Sequence, residues 1–226
     1  MPLPIAVLIS GSGSNLQAII DRIESGAIEA KIVLVASSAP GAFGLTRAAG
    51  RGIPTRTIAP EHFCSRDEYD QALLDAVTAA GARAIVLAGF MRILGPRFVR
   101  AFPQRILNIH PALLPSFAGT HGARDAAAYG VKISGCTVHF VDEEMDHGPV
   151  VVQAAVPALD ADTAETLAAR VLALEHRIYP QAVAWLAAGR LCVNGRKVTL
   201  AGADTPLAAV EPGAAYLVNP PLEQGF

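Results

Sequence analysis

Short apolar runs recur along the first half of the chain, each followed by a stretch whose apolar side chains return every three or four positions. Ile5-Ala-Val-Leu-Ile9 is the first run. It lacks polar alternation, the mark of a parallel strand covered on both faces. Ser10-Gly-Ser-Gly-Ser-Asn15 follows at once, and Leu16, Ile19, Ile20 and Ile23 then recur at helical spacing up to Gly26. Lys31–Ser37 and Ala84–Ala88 repeat the strand signal, Thr55–Ile58 gives a shorter one, and a short helix is expected over Leu45–Ala49. Ser65-Arg-Asp-Glu68 has the form of a capping box, opening a helix through Tyr69, Leu73, Leu74 and Val77 to Gly81. Strands alternating with helices predict a parallel βαβ arrangement with right-handed crossovers.

The next strand carries polar residues. Ile106, Leu107 and Ile109 are apolar and β-favouring, but Asn108 and His110 interrupt them, and Pro111 then ends the ladder. Residues two apart on a strand project the same way, roughly 7 Å from each other. An amide and an imidazole therefore leave the end of a core strand side by side. By themselves they fit either a hydrogen-bonded core pair or a reactive one. The parallel arrangement would align Gly11–Asn15, Met91–Leu94 and His110 along one sheet edge, where open α/β sheets bind ligands.

Beyond a loop at 116–122 the pattern changes. A short helix is expected over Ala123–Tyr129. Lys132–Val141 reads as a strand with Ile133, Gly135, Thr137, His139 and Val141 on one face, and Val150–Val156 as the second arm of a hairpin. Thr163 caps a long helix through Leu167, Val171, Leu174 and Ile178 to Gly189, interrupted at Pro180. Leu191–Val198 turns at Asn194-Gly195, the signature of a tight hairpin. Residues 202–226, rich in Ala and Pro, read as a loosely structured tail.

Composition narrows the function classes. The 226 residues are 52% hydrophobic and 17% charged, enough to bury a large core. The formal net charge of −2 argues against nucleic-acid or anionic-membrane binding. No apolar run approaches the roughly 18 residues of a membrane span, and the N-terminus reads as a strand rather than a signal peptide. Cys64, Cys136 and Cys192 are odd in number and widely spaced, which suits reduced thiols in a cytoplasm.

Two segments suggest binding chemistry. The Gly11–Asn15 turn between a strand and a helix fits either a tight turn without a ligand or, the favoured reading, an anion site on backbone N–H groups and the helix N-terminus, and Ser14 and Asn15 are good capping residues. Leu16 stands where a dinucleotide fingerprint wants its third glycine, and no Gly-Lys-Ser/Thr is present, so a phosphomonoester is favoured. The turn Asp142-Glu-Glu-Met-Asp146-His147-Gly148-Pro149 lacks the spacing of a calcium loop, and no metal is expected there. Arg66 in the first turn of its helix fits either a solvated surface cation or a contact to an acidic ligand. Glu175 beside the apolar stripe of the long helix fits a surface position or, as the less common case, a ligand contact. His62 and His147 are expected at the surface, and His121 has no assignment.

The assembled motifs are specific. Ile9-Ser-Gly-Ser-Gly-Ser-Asn15-Leu, Ala88-Gly-Phe-Met-Arg-Ile-Leu94, Leu107-Asn-Ile-His110-Pro-Ala-Leu-Leu-Pro-Ser116, Gly135-Cys-Thr-Val-His139-Phe-Val and Glu175-His-Arg-Ile-Tyr-Pro180 occur in order from about residue 5 to 200. The chain thereby resembles the phosphoribosylglycinamide formyltransferase family, folate-dependent enzymes of purine biosynthesis. The resemblance implies a Rossmann-like α/β formyltransferase fold: a mostly parallel central sheet with helices on both faces. It further implies one domain over 1–201, with a phosphate-binding half at about 1–100 and a catalytic and folate half, containing a hairpin and a long helix, at about 101–201. Gly13, Ser14 and Asn15 would hold the phosphate of glycinamide ribonucleotide, and Leu172, Ala173, Leu174 and Glu175 its glycinamide end. Arg66, Met91, Arg92, Ile93, Leu94, Asn108, Asp142, Glu143, Glu144, Met145 and Asp146 would hold the co-substrate 10-formyltetrahydrofolate. Asn108, His110 and Asp146 match the catalytic trio, Asp146 favouring the charged form of His110. The implied protein is a cytoplasmic monomer or homodimer.

Two departures stand out. The family usually has Asp-Gly-Gly-Pro where this chain has Asp146-His147-Gly148-Pro149, so one conformationally permissive position is lost. Phe117-Ala-Gly-Thr-His-Gly122 also differs from the commoner proline- and histidine-containing loops, so closure over substrate is expected to differ. Neither touches the trio. The competing readings are a methionyl-tRNA formyltransferase, which usually adds a C-terminal nucleic-acid-binding barrel, and a formyltetrahydrofolate deformylase, which usually adds an N-terminal regulatory domain. A non-catalytic phosphate-binding module would account for Gly11–Asn15 and leave Asn108, His110 and Asp146 unexplained.

Overall fold

The computed structural model describes residues 1–202 and 215–226, and they fall into two compact units, Met1–Asn108 and Ile109–Phe226. In the first unit β1 (Leu3–Ile9), β2 (Ala30–Ser37), β3 (Thr55–Thr57), β4 (Ala84–Leu87) and the start of β5 (Ile106–His110) lie in the order β3-β2-β1-β4-β5. All four pairings are parallel. Ile5 to Ile9 are entirely solvent-free, as a strand covered on both faces requires. Each such aliphatic side chain contributes about 1.5–3 kcal/mol by leaving water.

Helices α1 (Ser14–Glu24), α2 (Phe43–Ala49), α3 (Arg66–Ala79) and α4 (Pro96–Ala101) connect these strands. The capping box at α3 forms in part. Ser65 Oγ accepts the Glu68 N–H at 3.2 Å, while the Glu68 carboxylate reaches back one residue further, to the Cys64 N–H at 3.0 Å. α4 was not legible as a helix, because Gly95-Pro96 reads as a breaker. Pro96 instead occupies its first turn, where the missing N–H costs nothing.

The second unit is mainly antiparallel. β6 (Ile133–Phe140) pairs with β7 (Val150–Pro157) as the expected hairpin, with a register shift at Val138/His139. β8 (Leu191–Asn194) and β9 (Lys197–Leu200) form the second hairpin, and β9 joins β7 in parallel at Val150↔Lys197. Helix α5 (Gly122–Tyr129) packs on α6 (Ala164–Ala187), which in turn packs on β6 and β7. Thr163 caps α6 reciprocally with Thr166, and Pro180 lies inside the helix.

The end of the chain differs from the expectation of a loose tail where it is described. Leu217–Asn219 forms β10, antiparallel to β7. Gln181, wholly buried, accepts the Glu223 N–H at 2.6 Å and donates to the Pro221 carbonyl at 3.2 Å. Arg177 donates to Tyr216 Oη at 2.6 Å. Composition alone could not foresee these side-chain anchors on α6. The rest of the expected tail, 203–214, lies outside the described residues.

Gly135 in β6 illustrates the tolerance of the second sheet. A Cβ there would stand 1.9 Å from the Ala154 carbonyl oxygen of β7. Gly135→Ala is therefore expected to cost at least about 2 kcal/mol by forcing the strands apart, read as a lowered midpoint in urea unfolding.

Candidate active site

The first unit presents the Gly11–Asn15 turn as expected, with one change in how the helix begins. Gly13 is the N-cap, at φ +69°, and Ser14 is already helical. The turn needs glycine for space as well as for φ: a Cβ on Gly13 would meet Gly44 Cα of α2 at 2.6 Å. The Gly44 N–H closes the contact on the Gly11 carbonyl at 3.1 Å. No acidic residue lies in the first turn of α1, so its N-terminal N–H groups keep their attraction for an anion. Arg47 of α2 donates to the Ser12 carbonyl at 2.9 Å. This cation beside the turn had no signal in the sequence, since nothing there shows that α2 folds against it.

Met91–Leu94 is held by three groups, only one of which was a candidate. Ser10 Oγ accepts the Met91 N–H at 2.9 Å and pairs with Ser38 Oγ at 2.7 Å. Arg66 donates to the Ile93 carbonyl at 3.1 Å, so its guanidinium braces the segment from α3. Asp70, one helical turn on, accepts the Gly95 N–H at 2.9 Å. Burial pushes the Asp70 carboxyl up, against the lowering pull of the Gly95 N–H and Arg66. Met91 and Ile93 are left more than half exposed while Leu94 is buried. Two exposed apolar side chains on a braced backbone suit an apolar ligand face. Arg92 is exposed.

In the second unit the sequence brings one imidazole to one carboxylate, and the fold adds a second imidazole. His110, 3% exposed, ends β5. Its Nδ1 lies 3.5 Å from Asp146 Oδ2, and its Nε2 lies 2.8 Å from the Phe117 carbonyl. Both ring nitrogens thus face acceptors, an arrangement fully satisfied by an imidazolium, which donates from both. Asn108 projects from the same strand two residues earlier, half-buried. His139 of β6 places Nε2 3.8 Å from Asp146 Oδ1, and its Nδ1–H donates to the Phe140 carbonyl at 2.9 Å. Burial holds the His139 pKa below its ordinary 6.5, outweighing the Phe140 carbonyl and Asp146, which pull the other way.

Asp146 also accepts the Gly119 N–H at 2.8 Å, fastening the 116–121 loop to the acidic turn. Its own backbone is left-handed, at φ 53°, as is that of Phe117. The lost glycine at 147 therefore costs no special conformation: the positive φ falls on Asp146, and His147 has none. Aspartate accepts this region better than most residues do.

Among the other candidates, Asp142 and Asp146 are half-buried and Glu143, Glu144 and Met145 exposed. Glu175 is buried within α6, 6% exposed, between a half-buried Leu172, an exposed Ala173 and a buried Leu174 on one side and Ile178 on the other. Helical periodicity cannot separate this position from the surface, because α6 is packed around most of its circumference. Its charge adds to burial in pushing the thiol of Cys136 well up. Among the described residues no group of three or more His, Cys, Asp or Glu is arranged to hold a metal ion. Likewise no helix is long and apolar enough to cross a membrane.

Comparison with known proteins gives the family. Residues 3–183 match the family model described as formyl transferase. The chain belongs to the formyl transferase family. It is 45% identical to the phosphoribosylglycinamide formyltransferase of Escherichia coli (strain K12), over 89% of this chain and 95% of that protein. A 51% identity links it to the trifunctional purine biosynthetic protein adenosine-3 of Drosophila pseudoobscura pseudoobscura, over 83% of this chain but 14% of that longer protein. The solved glycinamide ribonucleotide transformylase 1 of Symbiobacterium toebii superposes with a TM-score of 0.86 at 47% identity, covering 88% of this chain and 94% of that one. The phosphoribosylglycinamide formyltransferase of Coxiella burnetii gives 0.84 at 45%, covering 92% and 97%. The fold is thus the Rossmann-like formyl transferase fold, and the protein is a transferase enzyme.

The buried His139 gives this transferase an acid-side liability. Its folded pKa is below 6.5, so as pH falls through 6.5 the unfolded chain takes up the proton first. Stability is whole above that value and declines as pH falls toward the lowered folded pKa. Unfolding midpoints in urea, measured from pH 7.5 to 5, are expected to drop. His139→Asn, which keeps a donor to Phe140 but does not titrate, is expected to flatten that slope.

Proposed function

We propose that this enzyme transfers the formyl group of 10-formyltetrahydrofolate to the amine of N1-(5-phosphoribosyl)glycinamide, with Asn108, His110 and Asp146 carrying the chemistry. The observation that carries the reading is the buried His110 ring, with a carboxylate beside one nitrogen and an exchangeable carbonyl at the other. The identity to phosphoribosylglycinamide formyltransferases over most of the chain supports the acceptor.

Gly13, Ser14 and Asn15 bind the phosphate through the start of α1, and Leu172–Glu175 of α6 meets the glycinamide end. The folate donor lies on Arg66, Met91–Leu94, Asn108 and Asp142–Asp146. Arg66 acts there through the Ile93 carbonyl it holds. The amine nitrogen attacks the formyl carbon. A carbon–nitrogen bond forms and the carbonyl oxygen becomes an oxyanion, which accepts N–H donors from Asn108 and from His110 as its Nε2 leaves the Phe117 carbonyl. The tetrahedral species then collapses, the bond to the folate nitrogen breaks, and the proton lost by the amine passes to that nitrogen through the imidazole. Asp146 orients the ring and balances its charge. No covalent enzyme intermediate is needed. The cytoplasm is the compartment this reading implies.

Formation of tetrahydrofolate on mixing the protein with both substrates tests the proposal. Release that depends on glycinamide ribonucleotide is the expected result; release without it would mean a hydrolase, and none would mean a binding module. Asp146→Asn is expected to lower kcat about 10²- to 10⁴-fold. An unchanged rate and pH profile in that variant would overturn the role of Asp146.

A further inference from the structure

His147 is not an idle surface residue. Two atoms of the preceding acidic turn and two of a neighbouring hairpin converge on it. Asp142 Oδ1 accepts the Glu144 N–H at 3.0 Å, and Asp142 Oδ2 accepts the His147 Nδ1–H at 2.8 Å. One carboxylate thus closes 142–147 into a ring. Arg196, at the β8–β9 turn, lays one guanidinium nitrogen against the His147 ring, 2.9 Å from Nε2 and 3.4 Å from Nδ1, and donates from the other to the His147 carbonyl at 2.7 Å. A nitrogen that near to both ring nitrogens lies over the ring face, a stacked contact that arginine makes readily. Glu144, 3.9 Å from Nδ1, is the other charged group at the ring.

The hairpin is a firm anchor. Arg196 follows Gly195 at φ +57° and precedes Lys197, which pairs with Val150 of β7. Its planar fork engages the ring and the carbonyl at once, which a lysine could not reproduce. The carboxylate of Asp146 is separately fastened by the Gly119 N–H. The external tie therefore acts on the stretch before it, Asp142–Met145.

We propose that His147 and Arg196 are a positioning pair for the folate donor, holding Asp142–Met145 in donor-binding shape, so that their loss weakens donor binding rather than the chemical step. The contacts of Arg196 link 147 to the β8–β9 turn. The inference rests on the proposed function for its ligand, but the tie itself is independent of it.

Steady-state kinetics with 10-formyltetrahydrofolate varied, in wild type, His147→Gly, Arg196→Ala and the double variant, test the pair. Each single variant is expected to raise the donor KM about threefold to tenfold while kcat stays within about twofold, as befits a partly exposed contact. The double variant should be no worse than the stronger single, since both remove one link. Hydrogen exchange of the 141–149 segment should quicken in both single variants without a change in unfolding midpoint. An unchanged donor KM, or multiplying effects in the double variant, would overturn the pair. If the wild-type protein transfers no formyl group, the proposed function fails and exchange alone decides: unaltered exchange in the variants overturns the tie.

Discussion

The second unit depends on a single carboxylate. Asp146 faces the imidazoles of His110 and His139 and accepts a backbone N–H from Gly119. Each contact joins segments far apart in sequence: a strand end, a second strand, and a loop that no regular element supports. The two Asp146 oxygens are thereby shared between two ring nitrogens and a backbone donor. Its left-handed backbone stores about 1 kcal/mol or more of strain. Conformations of this kind concentrate at functional sites.

Two imidazoles around one acid invite a division of labour. Burial keeps His139 in its neutral form, with Nδ1–H committed to Phe140. His110 has acceptors at both nitrogens, and the one at Nε2 belongs to a loop carbonyl rather than to a strand. The Phe117 carbonyl lies in a loop and is bound by no strand ladder.

In the first unit, the same economy appears in the backbone. A Cβ on Gly13 would meet the Gly44 backbone and one on Gly44 the Ile9 side chain, so packing against α2 shapes the Gly11–Asn15 turn. Arg66 and Asp70 of α3 brace the Met91–Leu94 segment through the Ile93 carbonyl and the Gly95 N–H. Charged residues that read as ligand contacts or surface decoration thus act first on backbone groups, which must be paired before a loop can present side chains.

Local pattern determined a good deal. Solid apolar runs marked β1, β2 and β4, period-two alternation put Asn108 and His110 on one strand face, Thr163 and Ser65 announced their helices, and Asn194-Gly195 announced its turn. These are consequences of nearest-neighbour geometry and burial, and the chain carries them in any context. Tertiary structure decided what depends on distant partners: the approach of His139 to Asp146, the placing of Arg47 beside the Gly11–Asn15 turn, and the burial of Glu175; Asp146 itself was named beforehand only through the family resemblance. Tertiary structure also decided the anchoring of 215–226 by Gln181 and Arg177, and the link from His147 to Arg196. No local periodicity encodes a hydrogen bond between residues scores of positions apart. Such bonds exist only once packing has brought the two partners together.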